Sequence, residues 1–177
     1  MRIVVLDRDG VINIDSADYI KSAEEWQPLP GSISAIANLC KKGYAVYIAT
    51  NQAGLARGLF DLKILEQIHA KLISLVEQQG GQIAGIFFCP HHPDEACPCR
   101  KPKPGLLRAI EAASKTSLQD QAFVGDSLKD IEAARAIGAK PILVRTGNGR
   151  ETESRLTDSG VEIFDDLSAF VNQLNPI

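Results

Sequence analysis

The stretch Arg2-Ile3-Val4-Val5-Leu6-Asp7-Arg8-Asp9-Gly10 decides the fold. Its apolar run has the length of a strand and stops abruptly on two carboxylates and a glycine. A strand with one wet face alternates apolar and polar residues, whereas a continuous run is covered on both faces, as in a parallel sheet between helical layers. In open α/β sheets the polar end of such a strand delivers the site.

Further apolar runs follow at Ala45–Ala49, Ile83–Cys89, Ala122–Val124, Pro141–Val144 and Val161–Phe164. Helical periodicity separates them: Ser32–Lys42, a long helix from the N-cap Asp61 to Gly80-Gly81, Gly105–Lys115, Leu128–Ile137, a shorter helix, and a last one from Leu167. This alternation predicts an α/β fold, a single Rossmann-like, doubly wound, mainly parallel sheet. Residues 1–177 read as one domain, with no repeat, low-complexity tract or linker. Val11–Pro30 is irregular, and it carries Asp15, Asp18 and Tyr19.

Composition narrows the function. The chain has 177 residues, 45% hydrophobic and 23% charged, with 19 basic against 22 acidic residues and a formal charge of −3. No global positive field draws it to nucleic acid. Its longest apolar runs are far too short to span a bilayer. The strand pattern begins at residue 2, so no signal peptide is expected, and the expected compartment is the cytoplasm. Reduced thiols then follow. Cys40 stands in a helical pattern and reads as core, while Cys89, Cys97 and Cys99 crowd one loop with His91 and read as metal binding.

Asp7, Thr50, Cys89 and Asp126 all fall at or just after strand ends. A carboxylate at Asp7 can attack phosphorus while its neighbour Asp9 donates and recovers a proton. An Asp-x-Asp-Gly turn is also a common exposed turn, and the third acid, Asp126 in Val124-Gly125-Asp126-Ser127, changes that weighing. Three strand-end acids converge on a hard cation, and Mg²⁺ takes such a sparse carboxylate set together with waters and phosphate oxygens. Asp130, one helical turn on, is read either as orienting Lys129 or the metal waters, or as a solvated helix residue. Thr50 and Asn51 offer donors for phosphoryl oxygens. The proline-stiffened Arg100-Lys101-Pro102-Lys103 suits the charge of a transferring phosphoryl group.

These residues carry a resemblance. Asp7-Arg8-Asp9-Gly10, Thr50-Asn51-Gln52, Lys101 and Gly125-Asp126-Ser127-Leu128-Lys129-Asp130 resemble the four ordered motifs of the haloacid dehalogenase superfamily, over Arg2 to about Gly147. Asp9 is similar to the position that marks its phosphatases and phosphotransferases. Three longer strings are similar to the histidinol-phosphate phosphatase subgroup: Asp7 to Asn13, Thr50 to Gly58, and Cys89-Pro90-His91-His92-Pro93 through Cys97-Pro98-Cys99-Arg100-Lys101-Pro102. The resemblance implies a phosphatase without a separate cap domain. It implies Asp7 as nucleophile, Asp9 as acid/base, and Mg²⁺ on Asp7, the Asp9 carbonyl and Asp126. It further implies phosphoryl contacts from Thr50 and Lys101. Substrate contacts are implied from Asp15, Asp18, Tyr19, Asn51, Gln52, Ala53, Arg57 and Arg100. The substrate it implies is a small phosphorylated sugar, a heptose 1,7-bisphosphate cleaved at the 7-phosphate, with histidinol phosphate as the alternative. Two features depart from the pattern. Only five residues separate His91 from Cys97, and Asp18 precedes Tyr19 where a glycine is commoner.

Cys89, His91, Cys97 and Cys99 give three thiolates and an imidazole, a full tetrahedral set for a structural Zn²⁺ in a loop spanning 89–103. His92 competes with His91 as ligand, and the resemblance favours His91. His69, on the long helix, reads as a surface or boundary residue. Two readings from other classes are weighed against the enzyme. A receiver-like phosphoacceptor domain places its acceptor on a middle strand, and a zinc-braced interaction module needs no Asp7/Asp9/Asp126 set. A monomer is expected.

Overall fold

Within the first strand, Val4 and Leu6 pack into one apolar layer and Ile3 and Val5 into another. This is the two-residue period of a strand covered on both faces. A computed structural model describes residues 1–157 and 160–176. Its elements are β1 (Ile3–Leu6), α1 (Ser32–Lys41), β2 (Ala45–Asn51), α2 (Leu62–Gln78), β3 (Ile83–Cys89), α3 (Gly105–Ser114), β4 (Ala122–Gly125), α4 (Leu128–Arg135), β5 (Lys140–Val144), α5 (Gly149–Arg155), β6 (Glu162–Phe164) and α6 (Leu167–Gln173). A short 3-10 turn at Pro93–Glu95 lies in the cysteine loop.

The described strands form one six-stranded sheet in the order β3-β2-β1-β4-β5-β6. Every pairing in it is parallel. Helices α1, α2 and α6 supply Ile36, Leu39, Ile68, Leu72 and Phe170 to the layer under Val4 and Leu6. Helices α3 and α4 supply Leu107, Ile110, Ala133 and Ala134 to the layer over Ile3 and Val5. The chain winds outward from β1 through β2 to β3 and returns to place β4 on the other side of β1, so the strand order reverses beside β1. Ligands of open α/β sheets bind outside the carboxyl ends of the strands at such a point.

Between β1 and α1 the described residues form only isolated bridges, Asp9 to Asn13 and Asn13 to Pro28. The segment is nonetheless anchored. Ile12, Ile20 and Trp26 are buried in the core, and Lys71 of α2 donates to the carbonyls of Ala23 and Trp26 at 2.7 Å each. Asp61 caps α2 as expected, accepting from the Ile64 N–H at 2.9 Å. Cys40 is a correction to the sequence reading. It lies half-buried at the edge of the core, where its thiol donates to the Gln82 carbonyl at 3.1 Å.

Candidate active site

The carboxyl ends of β1, β2 and β4 and the loop after β3 converge on one cleft of about 240 Å³. At its floor the Lys101 Nζ lies 2.8 Å from Asp7 Oδ1 and 2.7 Å from Asp130 Oδ1. Burial opposes the charge on Lys101, but the Asp130 and Asp7 carboxylates outweigh it and hold the ammonium above its usual range. Asp130 therefore faces Lys101 in place of Lys129, and it is buried where the alternative reading had a solvated helix residue. Its other oxygen accepts from Ser127 N at 3.1 Å and Ser127 Oγ at 2.7 Å, closing the first turn of α4.

Asp7, Asp126 and Asp130 place carboxylate oxygens within 4.8 Å of one another, a spacing that fits a single cation. Burial, and then the Asp130 charge, raises Asp7 well above the ordinary carboxylate range. The same two causes push Asp126 up to about 7, although it accepts from Asn148 N at 2.8 Å. Such under-compensated carboxylates form a donor set that suits a hard divalent ion. Two glycines make room for Asp126. A Cβ on Gly10 would lie 2.1 Å, and one on Gly147 2.2 Å, from Asp126 Oδ2, and both residues have positive φ. Asn148 reinforces the arrangement through its side chain, which reaches Asp126 Oδ2 at 3.2 Å and Asp15 at 3.3 Å. Sequence reasoning missed Asn148. The available signal was Gly147-Asn148-Gly149 just beyond the end of β5.

Asp9 points its carboxylate at a different set of partners. It accepts from Arg8 Nε at 3.1 Å and Nη2 at 3.0 Å, from Asn13 Nδ2 at 2.9 Å and from Gln52 Nε2 at 3.0 Å. Burial works against its ionisation, but the Arg8 charge and these hydrogen bonds outweigh it and lower the carboxyl below its ordinary value. His69 is a second correction. It is buried, with Nε2 3.2 Å from Arg8 Nη1. The sequence could not report a partner 61 positions away.

The substrate-contact candidates divide in two. Asp15, Tyr19, Thr50, Asn51, Gln52, Arg100 and Lys101 line the cleft, whereas Asp18, Ala53 and Arg57 do not. Arg57 instead stacks over the ring of Tyr19 at 6.0 Å. Ala53 is buried, and Asp18 is exposed on the outer side of the segment. Asn51 spends its amide on the backbone of Lys101, donating to the carbonyl and accepting from the N–H at 3.1 Å each. Gln52 bridges Asp9 and the Thr50 hydroxyl, the latter at 2.9 Å. Arg100 lines the cleft with a buried Nη1 that has no hydrogen-bond partner among the described residues.

Beside the cleft, Cys89, His91, Cys97 and Cys99 form a tight donor cage. Five of its six edges are 3.6 Å (Cys89–His91), 3.5 Å (Cys89–Cys97), 3.2 Å (His91–Cys99), 3.2 Å (Cys89–Cys99) and 3.5 Å (Cys97–Cys99). Thiolates 2.3 Å from a tetrahedral Zn²⁺ stand about 3.8 Å apart, so the cage is slightly tighter than a zinc-filled one. All four cysteines are free of disulfides. His92 is outside the cage, its Nδ1 accepting from Asp94 N at 3.2 Å. Burial pushes the Cys89 thiol up to about 12.

Comparison with known proteins shows the family of the chain as a whole. A HAD-hydrolase-like family model matches residues 98–170. The D-glycero-beta-D-manno-heptose-1,7-bisphosphate 7-phosphatase of Pseudomonas putida is 53% identical, over 98% of this chain and 99% of that protein. The protein of the same name in Pseudomonas aeruginosa is 52% identical, over 97% of each chain. A crystal structure of D,D-heptose 1,7-bisphosphate phosphatase from B. bronchiseptica, complexed with magnesium and phosphate, superposes with a TM-score of 0.95 at 47% identity. It covers 98% of this chain and 97% of its own. The chain belongs to the haloacid-dehalogenase-like phosphatases, in the family of the D-glycero-beta-D-manno-heptose-1,7-bisphosphate 7-phosphatases.

Proposed function

We propose that this protein hydrolyses the 7-phosphate of D-glycero-β-D-manno-heptose 1,7-bisphosphate through an aspartyl-phosphate on Asp7, leaving the 1-phosphate in place. The observation that carries the reading is the Asp7–Lys101–Asp130 cluster facing Asp126 at the switch point of a chain 53% identical to a named relative. Asp7 attacks the phosphorus as Asp9, which must first bind a proton against the pull of the Arg8 charge, protonates the departing C7 oxygen. Asp9 then takes a proton from a water that attacks the phosphorus of the acyl phosphate and frees Asp7.

Lys101 and the Thr50 hydroxyl stabilise charge on the transferring group. Asn51 holds Lys101 from its backbone side. Asp7, Asp126 and the Asp9 carbonyl would hold Mg²⁺. When bound, that ion neutralises phosphoryl charge and offsets its repulsion from the Asp7 carboxylate. Across the cleft, Asp15 and Tyr19 meet the sugar, and Arg100 is a cation for the phosphate that remains. The Cys89/His91/Cys97/Cys99 cage is proposed as a closed Zn²⁺ site that braces residues 100 and 101 and takes no part in the chemistry. Every residue of the proposed site comes from one chain, so a monomer suffices. The thiolate cage suits a reducing cytoplasm. No described helix is long and apolar enough to cross a membrane.

The test is phosphate release, with Mg²⁺, from both anomers of the heptose bisphosphate, other sugar bisphosphates and histidinol phosphate. The reading expects the heptose bisphosphate to have the highest kcat/KM, with the heptose 1-phosphate as product. Preference for histidinol phosphate, or release of the 1-phosphate, contradicts it.

A further inference from the structure

Arg8 is one of the largest fully buried side chains in the molecule, 1% exposed, and its guanidinium is used on two edges. Nε and Nη2 hold Asp9, and Nη1 lies 3.2 Å from His69 Nε2. His69 comes from α2 and is itself buried, its ring packed near Phe88 of β3 at a centroid distance of 6.1 Å. Burial and the Arg8 charge push His69 down to about 3. The imidazole is therefore neutral, its Nε2 carries a lone pair, and Arg8 donates to it.

An arginine side chain has many rotamers, and a two-point grip on one carboxylate leaves it free to pivot about that grip. The contact with His69 removes the pivot. From there the hydrogen bonds run without a gap through Asp9 and Gln52 to the hydroxyl of Thr50, with Gln52 donating at 3.0 Å to Asp9 and 2.9 Å to Thr50. The orientation of the Asp9 carboxylate is thus set from helix α2, outside the cleft.

We infer that His69 is a positioning residue: through Arg8 it fixes the carboxylate of Asp9 in the orientation from which Asp9 exchanges protons with the leaving oxygen and the attacking water. The inference rests on the proposed reading of Asp9 as the acid/base group. His69 does not line the cleft and belongs to neither cation-sized donor cluster. Its removal acts on steps that need a proton and spares those that do not. A glutamine, whose amide oxygen also accepts from Arg8, replaces it in this role, and a leucine does not.

The experiment compares single-turnover rates of the Mg²⁺-loaded enzyme on two substrates. The heptose bisphosphate expels an alkoxide that must be protonated. p-Nitrophenyl phosphate expels a stable phenolate that needs no proton, and its release reports phosphorylation alone. His69→Leu is expected to lower the sugar rate roughly tenfold or more, part of the about 10²–10⁴-fold that a proton-transfer group supplies. KM and the aryl rate stay unchanged, and His69→Gln restores the sugar rate. Equal losses on both substrates, or no loss on either, overturn the inference.

Asp9→Asn in the same assay separates the two claims. If it spares the sugar rate, the acid/base reading of Asp9 fails. If it loses the sugar rate selectively while His69→Leu does not, the role of His69 fails. Should His69→Leu not fold, His69→Phe decides, because it keeps an aromatic ring beside Phe88 and offers Arg8 no ring-nitrogen acceptor. The same selective loss is expected, and its absence overturns the inference.

Discussion

Lys101 and Asp130 form an ion pair of 2.7 Å in which each side chain is 2% exposed. Asp7 shares the same ammonium at 2.8 Å. Two carboxylates on one cation leave Asp7 partly neutralised, and Asp130, which does not itself line the cleft, fixes the Lys101 Nζ. Breaking a buried pair by removing one partner typically costs about 3–5 kcal/mol. Asp130→Ala also loses the contacts to Ser127 that close α4. It should lower stability by at least about 3 kcal/mol, or roughly 6–12 °C in melting temperature for a chain of this size. It should also lower kcat, because Lys101 then collapses onto Asp7. A melting curve and kcat that both match the unsubstituted protein would show that the pair contributes nothing.

The nucleophile and the acid/base group separate by magnitude. Asp7→Asn should abolish turnover, since an amide cannot form the acyl phosphate. Asp9→Asn should retain a residue of activity, down by about 10²–10⁴-fold on alkyl phosphates. Initial-rate assays on freshly prepared protein, before the introduced amide can deamidate back to a carboxylate, check both.

The contribution of Asp7 and Asp126 to stability should run opposite to the usual acid denaturation in metal-free protein. Asp7 and Asp126 are raised in the folded state, Asp126 from 3.8 to about 7. A raised carboxyl binds its proton more tightly when folded. Its contribution is therefore fully present below the unfolded value and is lost as pH rises through the folded one. The melting temperature of chelated protein, taken relative to that of Asp126→Asn under the same conditions, should fall between pH 4 and about pH 7. Added Mg²⁺ should restore more of it at pH 7.5 than at pH 5 because the ion competes with protons for these oxygens. A Mg²⁺ shift of equal size at both pH values would contradict this account of Asp7 and Asp126.

Zinc should be found at about one atom per chain in protein purified without chelators, from the four-ligand cage. Cys99→Ser should loosen the 89–103 segment and both raise KM and lower kcat. Arg100 is the proposed substrate contact and Lys101 the proposed phosphoryl contact, and the two follow Cys99 directly. Metal analysis, limited proteolysis and kinetics check this together. Unchanged kinetics and proteolysis in Cys99→Ser would remove the bracing role and leave the phosphatase reading standing on Asp7, Asp9 and Asp126.

Strand β1 was legible because a sheet covered on both faces demands a continuous apolar run, and the reading of Ile83–Cys89 matches β3 residue for residue although β3 is an edge strand and mostly half-buried. Strand β2 runs two residues past the expected end, since Thr50 and Asn51 still pair with Phe88 and Cys89. No local hydrophobicity marks that continuation. Helix α4 stops at Arg135, short of the apolar Ile137, because apolar periodicity records burial and Ile137 packs against the core from the following turn. Asp7, Asp9, Thr50 and Asp126 were legible because each falls where an apolar run ends, and Lys101 because it stands in the proline-stiffened basic run that follows the cysteine loop. Arg8, His69, Asn148 and the true partner of Asp130 were not. Their contacts join positions 61, 22 and 29 residues apart, and no spacing rule encodes them.

The central claim is that Asp7 carries the phosphoryl group from the 7-position of the sugar. The direct measurement is rapid acid quench of the enzyme with heptose bisphosphate radiolabelled in the 7-phosphate, followed by mapping of the labelled peptide. The account predicts transient, hydroxylamine-labile label on the peptide containing Asp7, decaying as free phosphate forms, and none in Asp7→Asn. Turnover at the full rate with no protein-bound label at any quench time would contradict it.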